Sequence, residues 1–365
     1  MKLLWFSWKD MKNPLAGGAE LVTHQLCAHA VKAGHEVILL CAGYPGAAPE
    51  EMYSGYKIIR VGGRLSVYPA AANYYKANLR GWADLVIEEI NTIPFFTQLY
   101  VKEPRFVLFY MLCREIWFYQ MFFPASLIGY LIEPLYLLFL NRNRILTISE
   151  STKHDLMRFG FPEKNITIIP IGLETEPVSS LKGLQKFEDP TVLSLGTIRD
   201  MKQTLDQVKA FNLAKAQIPN LKMKIAGGGA GPYFNNVMKA VKTSPYSADI
   251  EYLGRVSTEE KAAVMRKSHV IAVTSVKEGW GLIVNEANSQ GTPAVTYDVD
   301  GLRDSNRNNE TGLVVAPNPK ALAAGIVTLL SNPEMYEAYR TAGWEWSKDL
   351  TFENSYKKFS EAVSK

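Results

Sequence analysis

The sequence predicts an α/β protein built from two doubly wound parallel sheets, each with its own core, followed by a helical tail. Three observations carry this. Short apolar runs alternate with helix-period patterns from end to end, the order expected when parallel strands are joined by covering helices. A polar, turn-rich stretch, IGLETEPVSSLKGLQKFEDP from Ile171 to Pro190, interrupts that alternation, after which it restarts. The 365 residues exceed what one core usually organises and suit two domains of ordinary size.

In chain order, Leu3–Ser7 reads as a strand, Gly17–Gly34 as a helix opening on two glycines, and Glu36–Cys41 (EVILLC) as a second strand. Strands follow at Leu85–Glu89, Phe106–Tyr110 and Arg144–Ser149, then a helix near Glu150–Phe159 and a strand at Ile166–Ile171. The second half runs through strand Thr191–Gly196, a helix near Thr204–Ala216, and strands Leu221–Ala226 and Ile250–Leu253. It continues with helix Thr258–Lys267, strand Val270–Thr274, a helix near Leu282–Gln290 and strand Pro293–Tyr297. The expected boundaries are 1–172, a linker at 173–190, 191–340, and a C-terminal helix at 341–365 packing back toward the first domain.

Hydrophobic residues make up 47% and charged residues 21%, which excludes a disordered or fibrous chain. A net charge of +4 is too small and too dispersed for a nucleic-acid partner. Cys27, Cys41 and Cys113 are far apart and lack metal-ligand spacing, so neither a disulfide framework nor a metal site is expected, and a cytoplasmic setting fits. The start, MKLLWFSWKD, reads as a first strand rather than a signal peptide. Met121–Leu140 is long enough to span a bilayer, but Pro124, Glu133 and Pro134 interrupt it. The aromatic and aliphatic density over 106–144, with Arg142 and Arg144 at its end, instead suits contact with a membrane surface.

Ligands of parallel sheets sit beyond the carboxyl ends of strands, which directs attention to two loops. In NPLAGGAE, Gly17 and Gly18 let the backbone approach an anion at a helix N-terminus. In VKEGWGLIVNEANSQG, Glu278 lies in a loop and Glu286 about one turn into the helix that follows, so two carboxylates address different ends of one ligand.

The second loop belongs to a longer stretch, EGWGLIVNEANSQGTPAVTYDVDGLRDSNRNNETGLVV, that resembles the donor-binding signature of family 4 glycosyltransferases. AGGAELVTHQLCAHAVKAGHEV, LTISESTKHDLMRFGFPEKNITIIPIGLE and LGTIRDMKQTLDQVKAF resemble the family's other conserved blocks, in its order and spacing. The resemblance implies the GT-B fold, two facing Rossmann-like domains, and a retaining, metal-independent hexosyltransferase. Its co-substrate would be a UDP- or GDP-sugar in place of any cofactor, and its acceptor a glycan or glycolipid at the inner face of the membrane. By the same resemblance Glu286 would hold the ribose and Glu278 the transferred sugar. The stretch Gly279, Trp280, Gly281, Leu282 and Ile283 would cradle diphosphate or sugar. Lys202, beyond Gly196, would neutralise the leaving diphosphate with Arg199 as second cation, because the family's arginine after that glycine is Thr197 here.

The family commonly places a histidine where this chain has Tyr110, a poor base at neutral pH. With Arg114, Glu115 and His24, Tyr110 makes up the expected acceptor contacts. Two rival readings are a non-catalytic sugar-nucleotide or glycolipid binder and a nicotinamide-dependent oxidoreductase. The latter would want a G-x-G-x-x-G loop that GGAE does not provide.

Overall fold

The computed structural model describes residues 1–364 and divides into two compact units, Met1–Gly172 together with the chain from Thr351 onward, and Leu173–Leu350. The first holds strands β1 (Lys2–Phe6), β2 (Glu36–Cys41), β3 (Glu50–Tyr53), β4 (Tyr56–Arg60), β5 (Leu85–Ile90), β6 (Arg105–Phe109), β7 (Arg144–Thr147) and β8 (Ile166–Ile168). They form one sheet in the order β3-β4-β2-β1-β5-β6-β7-β8, parallel except for the β3–β4 hairpin. The central strands are buried because helices cover both faces: Leu3, Leu4, Trp5 and Phe6 of β1 are fully buried, and β5 carries two buried acids, Glu88 and Glu89, among its apolar residues.

Helices α1 (Gly18–Lys32), α2 (Val67–Tyr74), α3 (Trp117–Gln120), α4 (Ala125–Leu140) and α5 (Glu150–Arg158) belong to this unit. The β3–β4 hairpin was not expected. Its two-residue turn, Ser54-Gly55, has φ of 48° and 85°, the left-handed pair that suits the strand twist.

The contact surface expected over 106–144 narrows. Phe106–Phe109 is an interior strand, and Ile116 and Trp117 are buried. The exposed apolar residues lie between Phe118 and Phe139. No helix among the described residues is long and apolar enough to cross a membrane.

The second unit holds β9 (Thr191–Leu195), β10 (Lys222–Ala226), β11 (Ile250–Gly254), β12 (Val270–Val273), β13 (Ala294–Tyr297) and β14 (Gly312–Val315). All are parallel, in the order β11-β10-β9-β12-β13-β14. Helices α6 (Thr204–Lys215), α7 (Gly231–Thr243), α8 (Thr258–Lys267), α9 (Leu282–Ser289), α10 (Leu302–Ser305), α11 (Pro319–Leu330) and α12 (Pro333–Ser347) cover it. Counted from β9, this is the 3-2-1-4-5-6 order of a doubly wound sheet, whose direction of winding reverses between β9 and β12.

The stretch 173–190, read above as a linker, is laced onto the second unit. Val178 N–H donates to Ser289 O (2.9 Å), and Trp344 Nε1 to Val178 O (2.8 Å). Lys186 Nζ reaches Ser268 O, Gly291 O and Thr292 Oγ1 at 2.7–2.9 Å. The polar composition that suggests a flexible tether instead supplies these bonds. The chain returns to the first unit at Thr351, ten residues beyond the expected 341, and α12 stays with the second unit. There α13 (Phe352–Val363) packs along α1, where Tyr356 stacks on His29 with ring centroids 6.1 Å apart, and against β1, where Phe359 stacks on Trp5 at 5.5 Å.

Candidate functional site

In the second unit, the loops leaving β9 and β12 meet where the winding reverses. Val276 N–H donates to Met201 O (2.8 Å), and Thr274 Oγ1 to Lys202 O (2.9 Å). This stitching brings Lys202 and Glu278, 76 residues apart in sequence, into direct contact. The Lys202 ammonium is ion-paired with Glu278 Oε1, which also accepts from Ser275 Oγ. Burial alone would push the Glu278 carboxyl up. Lys202, the Ser275 hydroxyl and the nearby charge of Arg199 outweigh it and hold the carboxyl below its ordinary value. Arg199 itself is exposed, as is Thr197.

The backbone beneath is close-packed. Gly196 N–H donates to Ala226 O (3.0 Å), and a Cβ on Gly227 would stand 1.9 Å from Gly196 O. Only glycine permits this approach, which draws the ends of β9 and β10 together. On the other side, Glu278 N–H donates to Asp300 O (3.1 Å), and a Cβ on Gly301 would meet Glu278 O at 2.3 Å. The Glu278 backbone is therefore held by the loop that follows β13.

Gly281 (φ 92°) turns the chain into α9, whose first amides, those of Leu282 and Ile283, have no carbonyl one turn earlier to bond. Trp280 points its indole N–H back into the helix, to Asn285 Oδ1 (2.7 Å). The fifth residue of α9 is Glu286, 4% exposed, whose Oε1 lies 3.0 Å from Lys261 Nζ on α8. The same ammonium pairs with Glu174 at 3.0 Å. Burial pushes the Glu286 carboxyl up, and Lys261 offsets part of that rise. Neither Lys261 nor Ser275 was among the expected site residues. Ser275 is three residues from Glu278, but its role depends on how the loop folds. Lys261 is 25 residues from Glu286, and no local pattern links them. Together these groups set a lysine and an unbonded helix N-terminus beside a carboxylate, with a second carboxylate deeper in the helix. That combination suits an anionic ligand carrying hydroxyl groups.

In the first unit the expected contacts are mostly used internally. Gly17 and Gly18 are exposed at the start of α1, but Gly17 N–H donates to Glu20 Oε2 (2.7 Å), and Lys9 pairs with Glu20 at 3.3 Å. The helix thus carries its own carboxylate at its N-terminus. Tyr110 is 7% exposed, and its hydroxyl is shared with Thr23 Oγ1 (2.8 Å) and Ala19 O (3.0 Å). It braces α1 on the sheet rather than offering a group to an acceptor. His24 Nδ1 bonds Tyr56 Oη (3.0 Å), and its ring lies 4.9 Å from that of Tyr53, against the β3–β4 hairpin.

Arg114 is a clamp on α4. Pro134 has no N–H to give Tyr130 O, and the Arg114 guanidinium takes that carbonyl at 3.3 Å while lying 4.2 Å from the Tyr130 ring. Its own backbone N–H donates to Glu133 Oε2 (2.7 Å). Of the four expected acceptor residues, Glu115 alone is exposed.

The sequence does contain one Asp-x-Asp pair, Asp298 and Asp300, which the expectation of no metal passes over. Arg303 reaches both, at 2.7 and 3.2 Å, and Lys277 lies 3.4 Å from Asp300. Among the described residues no group of three metal-capable side chains forms.

Comparison with known proteins agrees with this geometry. Residues 180–346 match the family model described as glycosyl transferases group 1, and residues 16–177 match that described as glycosyltransferase family 4. The phosphatidyl-myo-inositol mannosyltransferase of Mycobacterium tuberculosis is 26% identical over 194 residues, covering 49% of this chain and 50% of that protein. The O-antigen chain mannosyltransferase B of Escherichia coli is 24% identical over 241 residues, 63% of each. The match thus spans about half the length of the first of these relatives.

Among solved structures, sucrose-phosphate synthase from Thermosynechococcus elongatus superposes with a TM-score of 0.81 at 19% identity, covering 100% of this chain and 98% of that one. WaaG, a glycosyltransferase involved in lipopolysaccharide biosynthesis, gives 0.75 at 13% identity, covering 97% and 98%. Two family models that together account for nearly the whole chain, and a fold shared with these structures, establish that the chain belongs to family 4 of the glycosyltransferases and has their GT-B fold.

Proposed function

We propose that the protein is a retaining glycosyltransferase that moves a hexose from a UDP- or GDP-sugar, held by the second unit, to a glycan or glycolipid acceptor served by the first. The pairing of Lys202 with Glu278 at the winding reversal of the second sheet carries this reading. The resemblance to named mannosyl and glucosyl transferases supports the hexose. Bound donor would draw Lys202 onto the diphosphate, with Arg199 beside it and the α9 amides below. Glu278 would then be free for the sugar hydroxyls and Glu286 for the ribose.

In the transfer, the acceptor oxygen bonds to the anomeric carbon as that carbon's bond to the diphosphate oxygen breaks. The acceptor proton passes to the departing oxygen on the same face of the sugar. No side-chain base is required, which suits a first unit in which Tyr110 is buried and already bonded. Negative charge growing on the diphosphate is met by fixed cations and amides.

Thermal-shift titration with UDP-, GDP- and ADP-sugars tests the donor, since a ligand at 100 times its Kd stabilises by about 2.7 kcal/mol. Product anomer analysis tests retention. No shift with any of the three sugars, or an inverted product, overturns the reading.

A further inference from the structure

The α4 helix is apolar on its outward face as well as toward the core. Its buried face carries Ser126 and Glu133 together with Tyr136, Leu137 and Leu140. The Glu133 carboxylate, 1% exposed, accepts from the backbone of Cys113 and Arg114 (2.7 Å each) and from Trp117 Nε1 (3.0 Å). The outward face is wholly apolar: Leu127, Ile128, Leu131, Ile132, Leu135, Leu138 and Phe139 are each 38–65% exposed. Just ahead of the helix, Phe122 and Phe123 are 77% and 75% exposed. Water is a poor solvent for such a face, since surface helices of soluble proteins normally turn their apolar side inward.

Charge distinguishes the candidate occupants. Between Ile116 and Ser149 the sole acid is Glu133, which points inward, and the only bases are Arg142 and Arg144, both exposed at the helix's far end. The surface therefore pairs an uncharged apolar stripe with cations at one end, which complements hydrocarbon bordered by anionic headgroups. A second copy of the chain would bring the same arginines, and its apolar stripe carries no exposed acid to meet them, the nearest in sequence being Glu115 and Glu150 outside it. At 16 residues α4 is about 24 Å long, short of a hydrocarbon core of roughly 30 Å, so it suits lying in the interface and not crossing it. It is also the crossover from the carboxyl end of β6 to the amino end of β7, which are parallel. Phe122 and Phe123 thus stand toward the sheet edge where ligands of such folds bind.

We propose that α4 docks this protein onto an anionic lipid bilayer, its Leu/Ile face and the Phe122–Phe123 pair sunk among the acyl chains and Arg142 and Arg144 on the headgroups. This deepens the proposed function, because it delivers a membrane-borne acceptor to the first unit, and it rests on that reading only for the acceptor.

Flotation of the purified chain with phosphatidylcholine vesicles, with and without phosphatidylglycerol, tests it. The wild type floats with the anionic vesicles and at least tenfold less with the neutral ones. L131Q/L135Q loses at least tenfold in partition, and R142Q/R144Q binds both vesicles equally weakly. Should L131Q/L135Q prove unstable, L131W replaces it: the indole emission shifts blue and is quenched by brominated lipid only when vesicles are present. A wild type that floats with neither vesicle overturns the proposal. So does an L131Q/L135Q variant that floats like the wild type, an L131W indole that lipid leaves unquenched, or a wild-type dimer that L131Q/L135Q converts to monomer. Nucleotide-sugar thermal shifts on the same samples keep the two readings separate, since L131Q/L135Q retains the wild-type donor response whichever way flotation falls.

Discussion

Lys261 Nζ lies 3.0 Å from Glu286 Oε1 and 3.0 Å from Glu174 Oε2, so one ammonium on α8 serves two carboxylates. Burial would by itself discharge this lysine, but the two acids keep it protonated. Removing one member of a buried pair leaves an uncompensated charge and costs a few kcal/mol. Lys261→Met is therefore expected to lower stability by about 2 kcal/mol, a value reduced because the lysine side chain keeps 19% exposure. Without Lys261, Glu286 holds a proton to higher pH and, in the role proposed for it, would accept ribose hydroxyls less well. Isothermal titration should show donor affinity at pH 6.5 falling about tenfold, as for loss of one hydrogen bond to a charged group. Unchanged affinity in both Lys261→Met and Glu286→Ala would remove Glu286 from the donor site.

Lys202 is expected to act mainly on turnover. Its charge is balanced by Glu278; in the proposed transfer the leaving diphosphate would compete for it as negative charge grows. Lys202→Ala should lower kcat about a hundredfold or more, the range seen when one fixed donor to a developing oxyanion is lost. KM should change much less. Steady-state rates with saturating acceptor measure this split, and a KM effect alone would make Lys202 a ground-state binding residue.

A pH effect is expected from Glu89, at the carboxyl end of β5. It is 1% exposed and accepts from Thr23 Oγ1 (2.6 Å) and Asn91 Nδ2 (2.8 Å). Burial, and beyond it the charge of Glu20, pushes the carboxyl up to about 8, against which Thr23 and Asn91 pull only partly. A folded-state value above the unfolded one means that the stabilising contribution is complete below about pH 4.3. It is then lost progressively as pH rises through about 8. Melting temperature should decline between pH 5 and 8, and Glu89→Gln should flatten that decline. The slope should not vanish, because Glu88 and Glu133 are also raised by burial. An equal slope in wild type and variant would show that Glu89 is ionised throughout.

The strands were legible wherever burial on both faces makes a run continuously apolar. Glu36–Cys41 matches its expected range, and Thr258–Lys267 is a helix with the Ser257–Glu260 capping box that announces its start. The β3–β4 hairpin was not, because Glu50 and Glu51 break the apolar pattern of an edge strand, although Ser54-Gly55 between two tyrosines is itself a turn signal. In the site, Lys202, Glu278 and Glu286 are legible as a motif in sequence. Lys261 is not, since its partnership arises only when α8 is laid beside α9. Three of the four acceptor candidates show a different limit of sequence reading. Tyr110, His24 and Arg114 have the right chemistry, but the Tyr110 hydroxyl, His24 Nδ1 and one guanidinium nitrogen of Arg114 are bonded within the first unit, and such pairing is not a local property of sequence.

Gly227 tests whether the close approach of β9 and β10 matters to the site above it. A methyl group there would stand 1.9 Å from the Gly196 carbonyl oxygen and 2.7 Å from its carbon, both backbone atoms that cannot rotate aside. Its φ of 145° adds strain for any L side chain. The two strand ends must separate, loosening Gly196 and through it the loop that carries Arg199 and Lys202. Gly227→Ala is expected to cost about 1–3 kcal/mol of stability, comparable to overpacking a core. It should also lower donor affinity, whereas Gly34→Ala, also at positive φ (84°) but with open space around it, should cost stability only. Chemical denaturation and donor titration on the two variants decide the matter: equal donor affinity in both would mean that the β9 loop keeps its place without the glycine contact.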